Sequence, residues 1–232
     1  GLVGESGSGK STAAAVIAGL LAPTAGEVLF GGRPLPPLAA ARSHETRRRI
    51  QIIFQDPLSS LNPRQRIDAI LARPLALFHG LAGAAARKRA VELLEALQLD
   101  PAFLDCYPRQ LSGGQQQRVA IARAFAASPD LVICDEITSA LDVSVQAQVL
   151  ALLKGLQERS GTACLFISHD LGVIGQVAGR VVVLRDGIVR EAGRTQSVFR
   201  QPADDYTRLL VEAASRGYAR LPGSPAAMAA VS

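Results

Sequence analysis

The apolar positions of this chain fall into two patterns. Leu131-Val132-Ile133-Cys134, Cys164-Leu165-Phe166-Ile167 and Val181-Val182-Val183-Leu184 are short unbroken apolar runs. Such runs are the mark of strands covered on both faces, as in a parallel sheet. They predict strands at 131–134, 164–168 and 180–184. Gly1-Leu2-Val3 reads as the tail of another strand. Glu27 to Gly32 reads as a strand and turn, and Val181 to Val189 as a hairpin turning in or beside Asp186-Gly187. The other pattern is helical. Ala13 to Leu21 and Gln116 to Ala127 predict helices, and from about Leu58 to Gln110 the chain is helical in character. Within it, Ala84 to Leu99 sets Ala90, Leu93, Leu94 and Leu97 on one face, with Arg87, Lys88 and Glu92 opposite. The order is that of an α/β fold.

With 232 residues, 48% of them hydrophobic and 19% charged, the chain has the material for one sizeable core, which excludes disorder for most of it. The mean hydropathy of +0.20 is high for a soluble protein and predicts a dense core with a sticky surface. No apolar run is long enough for a membrane helix, so no bilayer span is expected. The net charge is +5, yet aromatics are only 4% and the longest basic run is Arg47-Arg48-Arg49. A nucleic-acid binder would interleave charge with aromatics, so the run reads as a solvated face and no nucleic-acid partner is expected. Cys106, Cys134 and Cys164 have no metal spacing and fit a reduced, cytosolic setting. The chain opens without Met, on a strand tail, and is expected to be a fragment lacking its N-terminal part. Residues 1–215 read as the folded domain and 216–232, rich in Ala, Pro and Gly, as a mobile tail.

Gly4-Glu5-Ser6-Gly7-Ser8-Gly9-Lys10-Ser11-Thr12 fits the pattern G-x-x-x-x-G-K-[ST] in full. Its glycines let backbone N–H groups curl around phosphate oxygens. The helix that follows turns its positive end on the same anion. Lys10 supplies a point charge for β- and γ-phosphates, and Ser11 a hydroxyl for Mg²⁺. The apolar run at 131–134 ends in Asp135-Glu136. Carboxylates at that end of a buried strand face the ligand crevice of an α/β sheet. Asp135 is placed to hold Mg²⁺ through water and Glu136 to polarise the attacking water. Leu111-Ser112-Gly113-Gly114-Gln115 precedes a helix, with Ser112 suited to cap it and the glycines to allow close approach of an anion.

This last pentapeptide, between the two phosphate-binding motifs, resembles the signature of ATP-binding cassette (ABC) ATPases. Phe54-Gln55-Asp56-Pro57 resembles that family's Q-loop, Ser139-Ala140-Leu141-Asp142 its D-loop and Ser168-His169-Asp170 its switch histidine. The motifs stand in the family's order over nearly the whole chain. Residues 51–64, Tyr107-Pro108, the segment Asp142 to Gln148 and Tyr206-Thr207 are similar to the dipeptide and oligopeptide importer branch, which also handles nickel and glutathione. Ile137 stands where many relatives have Pro or Ala, and the C-terminal extension lacks the cysteine cluster of some relatives, so no metal cluster is expected there.

The resemblance implies a P-loop NTPase core with a mostly parallel sheet and an inserted helical subdomain at about 58–127, which docks on a membrane protein. It implies an ATPase using ATP and Mg²⁺ that powers solute import, with a di- or oligopeptide as the expected solute. Two ATPase domains, as a homodimer, a heterodimer or a fused pair, would sandwich ATP head to tail. Ser112, Gly113, Gly114 and Gln115 of one would face the γ-phosphate held by the phosphate loop of the other. Gln55 would touch Mg²⁺ and the attacking water, and His169 would hold the γ-phosphate and position Glu136. The implied partners are transmembrane permease subunits and, indirectly, an extracytoplasmic solute-binding protein. The implied location is the cytoplasmic face of the inner (plasma) membrane, as a peripheral protein. Two other functions are weighed. A soluble ABC ATPase acting on DNA or ribosomes would carry long coiled-coil or zinc insertions, or two domains with a charged linker, and none is visible in this sequence. A regulatory ABC domain that binds ATP without hydrolysing it is disfavoured by intact Lys10, Asp135, Glu136 and His169.

Overall fold

Each predicted strand forms where an apolar run meets a turn residue. The computed structural model describes residues 1–218. In chain order the elements are β1 (Leu2–Val3), α1 (Lys10–Ala18), β2 (Leu29–Phe30), β3 (Arg33–Pro34), α2 (His44–Arg49), β4 (Ile50–Ile53), α3 (Pro57–Ser60), α4 (Ile67–His79), α5 (Gly83–Ala96) and α6 (Gly113–Phe125). They continue with β5 (Leu131–Asp135), α7 (Val143–Ser160), β6 (Ala163–Ile167), α8 (Leu171–Val177), β7 (Arg180–Arg185), β8 (Ile188–Arg194), α9 (Thr195–Arg200) and α10 (Asp205–Tyr218). By contacts the chain divides into two units. One is Gly1–Ser11 with the chain from Phe166 onward, and the other is Thr12–Leu165.

In the first unit β1 is parallel to both β6 and β7, with Leu2 opposite Ile167 and Val182. β8 returns antiparallel to β7. The turn between them is the expected one: Asp186 and Gly187 lie at φ 52° and 76°, the two left-handed residues of a type I′ hairpin. Val3, Ile174, Val183 and Val198 fill the core of this unit. Of the expected tail, residues 216–218 close α10, and the remainder lies outside the described residues.

In the second unit β4 and β5 run parallel with Ile53 opposite Cys134. Ile53, Leu71, Leu94, Ile121, Ile133 and Leu153 are fully buried here, each worth roughly 1.5–3 kcal/mol relative to exposure. α5 buries Ala86, Ala90, Leu93 and Leu94, the face that its periodicity marks out. α1 is shifted against the expected 13–21. It starts at Lys10 and stops at Ala18, because Gly19 at φ 77° ends it. Leu20 and Leu21 are left 55% and 47% exposed. Among the described residues no single helix is long and apolar enough to cross a membrane.

Three arginines act otherwise than as solvated charge. Arg42 is buried, and its guanidinium donates to the carbonyls of Ile17 at 2.7 Å and Pro36 at 3.0 Å. Ile17 lies in the last turn of α1, so this cation caps the negative end of that helix. Within the basic run, Arg48 bonds Glu45 at 2.8 Å and the Ser128 carbonyl at 2.6 Å. Arg49 pairs with Asp130 at 2.7 Å and lies over the Phe30 ring. The run therefore ties α2 to the chain entering β5 and is not a bare basic face.

Candidate functional site

In the first unit the glycine-rich loop leaves the C-terminal end of β1. Gly4 sits at φ 154°, and a Cβ there would stand 2.1 Å from the Leu184 carbonyl oxygen, so only glycine fits. Gly7 and Gly9 also adopt positive φ. The loop closes on its own lysine. Lys10 is 5% exposed, and its ammonium donates to the carbonyls of Gly4 at 2.9 Å and Glu5 at 2.7 Å and to Ser8 Oγ at 3.3 Å. Glu5, Ser6 and Gly7 remain exposed at the rim, as do Ser11 and Thr12 beyond the lysine. Ser8 is buried, and its carbonyl accepts from the Gly187 N–H of the β7–β8 turn at 3.0 Å.

His169 belongs to the same unit. It follows β6, which is β1's parallel neighbour, so histidine and loop leave the sheet at the same edge. Ser168 N–H bonds the Leu2 carbonyl at 3.3 Å. Asp170 caps α8 through Gly172 N–H at 2.8 Å. His169 is thus pinned on both sides, with its ring exposed.

In the second unit Gln55 follows β4, and Asp135 and Glu136 end β5. The parallel pairing of these strands brings both groups to one edge. A serine joins them. Gln55 Nε2 donates to Ser139 Oγ at 3.1 Å, and Ser139 Oγ donates to the Glu136 carbonyl at 3.0 Å. Glu136 lies at φ 48°. A non-glycine residue pays for that conformation, and such residues cluster at functional sites. Asp135 and Glu136 are half-buried, and Ile137 is a core residue at 4% exposure.

The signature opens α6. Ser112 Oγ accepts from Gln115 N–H at 3.4 Å, and Gln115 Oε1 accepts from Ser112 N–H at 2.8 Å, a reciprocal cap. Accepting leaves the Ser112 O–H able to donate outward. Gly113 is exposed, and a Cβ there would meet only Leu141 of the D-loop, at 3.9 Å. Gly114 has a packing reason that the sequence hides: a Cβ there would stand 2.5 Å from Val145 Cγ1 of α7. Sequence reasoning also missed the bridging role of Ser139 and the bracing of the loop by Gly187. The motifs were visible, but the contacts between them are tertiary.

Among the described residues no group of three or more His, Cys, Asp and Glu could hold a metal. Mg²⁺ needs few protein oxygens beside water and phosphate. Ser11, Asp135 and Gln55 carry one hydroxyl, one carboxylate and one amide oxygen, and Gln55 Nε2 is already spent on Ser139.

A family model described as ABC transporter matches residues 1–139. A Brucella ovis protein, named provisionally as a peptide import ATP-binding protein, is 45% identical over 214 residues, 92% of this chain and 67% of its own length. A Brucella abortus protein of the same description is 43% identical over 97% of this chain and 67% of its own length. Among solved structures, an ATP-binding cassette dimer in a post-hydrolysis state with ADP and Pi gives a TM-score of 0.72 at 36% identity, covering 84% of each chain. CbiO1 of Clostridium perfringens, part of the ABC transporter complex CbiONQ, gives 0.77 at 28% identity, covering 95% of this chain and 83% of its own.

Proposed function

This chain belongs to the ABC transporter family as one of its ATPase domains, and on that premise we propose that it powers the import of di- or oligopeptides. The observation that supports the ATPase chemistry most is the loop around Lys10. A buried ammonium is held there by backbone carbonyls at 2.9 and 2.7 Å. Phosphate oxygens are stronger partners for an ammonium than neutral carbonyls are, which suits this lysine to the β- and γ-oxygens of a triphosphate.

The roles follow from chemistry. Backbone N–H groups of Gly7, Ser8, Gly9, Lys10, Ser11 and Thr12, at the start of α1, cradle the phosphates. Gly4, Glu5 and Ser6 shape the approach to that cradle. Ser11, Asp135 and Gln55 would hold Mg²⁺, which would neutralise charge on the phosphates. Glu136 accepts the proton of the attacking water as its oxygen bonds to the γ-phosphorus. The bond from that phosphorus to the β–γ bridging oxygen breaks, and ADP leaves. Gln55 orients the water, and His169 holds the γ-phosphate and positions Glu136. Ser112, Gly113, Gly114 and Gln115 meet the γ-phosphate bound by a second ATPase domain. That facing pair closes with ATP and opens after hydrolysis, biasing the membrane partner between two states.

The permease contact is assigned to the second unit. A groove of about 270 Å³ runs past Phe54, beside Gln55, and is lined by Ile52, Pro74, Leu77 and Phe78. Leu77 is 54% exposed. The groove also carries Gln51, Arg73 and Arg123, and a mixed apolar and basic groove next to the Q-loop suits a short amphipathic helix of a permease subunit; such docking sets the chain at the cytoplasmic face of the membrane as a peripheral subunit. The substrate class rests on the two Brucella relatives. The test is uptake by proteoliposomes holding the full-length protein, its permease subunits and its binding protein. MgATP inside the vesicle is expected to drive uptake of labelled di- or oligopeptides. Uptake of another solute alone would refute the peptide assignment.

A further inference from the structure

Beside Gly187, the phosphate loop has a second brace, from a residue outside every nucleotide motif. Glu5 N–H donates to Tyr206 Oη at 3.1 Å, across 201 residues of sequence. That N–H and the Gly4 carbonyl are the two ends of a single peptide group, which is planar and turns as one body. The carbonyl end accepts from Lys10 Nζ at 2.9 Å. Tyr206 therefore holds one end of the peptide plane on which the buried ammonium rests at the other. Hydrogen bonds chained in this way polarise and strengthen one another.

Tyr206 is itself firmly set. It is 7% exposed, and its neighbour Thr207 is fully buried. The Arg185 guanidinium lies 4.7 Å from the centre of its ring. Asp204 Oδ1 accepts from Tyr206 N–H at 2.9 Å and Thr207 N–H at 3.2 Å. Glu191 on β8 in turn accepts from Ala203 N–H at 3.1 Å and Asp204 N–H at 3.2 Å. The start of α10 is thus anchored to β8, and its first aromatic residue reaches the loop.

We infer that Tyr206 is a positioning residue for nucleotide binding: its hydroxyl fixes the Gly4–Glu5 peptide plane and through it the resting place of Lys10. The inference rests on the ATP reading of the loop. Its consequence is that α10, an element distant in sequence from every nucleotide motif, sets the affinity of the loop for ATP.

Tyr206→Phe tests this in the full-length protein, because it keeps the ring, its burial and the Arg185 contact and removes only the hydroxyl that accepts from Glu5 N–H. The Kd and KM for MgATP are expected to rise about two- to tenfold, the worth of one neutral hydrogen bond. The kcat at saturating MgATP is expected to stay within about twofold of wild type, since the interaction is made before chemistry. Amide exchange at Glu5 is expected to quicken. A Kd equal to that of wild type, with or without a fall in Tm, overturns the inference, because a purely structural tyrosine would move only Tm. If wild type itself does not bind MgATP, the reading of the loop has failed and not the role of Tyr206 within it.

Discussion

Gly114→Ala is expected to change sign with the residue at position 145. The added Cβ would stand 2.5 Å from Val145 Cγ1 and 3.9 Å from Val145 Cβ. The first distance is a clash and the second an ordinary contact. Val145 lies in the first turn of α7, where a β-branched side chain has one strongly preferred χ1 and cannot swing aside cheaply. Overpacking of this kind costs about 1–3 kcal/mol. Against it, alanine gains up to about 1 kcal/mol over glycine within a helix, and less near its start. In the wild-type background the net effect is a loss of roughly 1–2 kcal/mol. With Val145→Ala the clashing methyl is gone and only the helical gain remains, so the same substitution becomes neutral or stabilising. Urea unfolding of the four proteins of the cycle, fitted with a shared m-value, gives the coupling. The expected coupling is about 1–3 kcal/mol. An equal cost of Gly114→Ala in both backgrounds would refute the packing explanation and leave the glycine to its phosphate role alone.

Arg42→Met removes the buried donor from the Ile17 and Pro36 carbonyls and is expected to cost about 3 kcal/mol, read from the urea midpoint; a loss under about 0.5 kcal/mol would contradict the capping role. Ser139→Ala cuts the link between Gln55 and the Glu136 carbonyl. Turnover is expected to fall roughly two- to tenfold with MgATP affinity unchanged, and steady-state kinetics showing a change in affinity alone would oppose this. The Cys134 thiol is raised well above the usual thiol range by donating to Cys164 and by burial, while the same bond lowers Cys164. Iodoacetamide on the native protein is therefore expected to label Cys164 and spare Cys134, with a rate that rises with pH and levels off earlier than that of an ordinary thiol. Peptide mass spectrometry with Cys134 labelled as fast as Cys164 would show the pairing to be wrong.

The elements that the sequence made legible are those whose signal is local. Asp186-Gly187 announces its hairpin because both residues must be left-handed. The loop from Gly4 to Lys10 announces itself because glycines and a lysine at that spacing serve phosphate and little else. Other features depend on what lies across the fold. The end of α1 is set by Gly19 and by Arg42, a residue 25 positions beyond the Ile17 carbonyl it caps, and in sequence that arginine is one among many. Gly114 looks like a phosphate contact and is also a packing glycine. Tyr206 reaches Glu5 across almost the whole chain, and no periodicity marks it.

In the proposed reaction Glu136 activates the water that attacks a bound ATP. The most direct measurement compares full-length wild type with Glu136→Gln for MgATP binding, dimerisation and turnover. The substitution removes the proton acceptor and keeps the size and the neighbouring bonds. Wild type is expected to hydrolyse MgATP. The variant is expected to bind it, stay dimeric and release no phosphate above background. Wild-type turnover by Glu136→Gln would contradict the account.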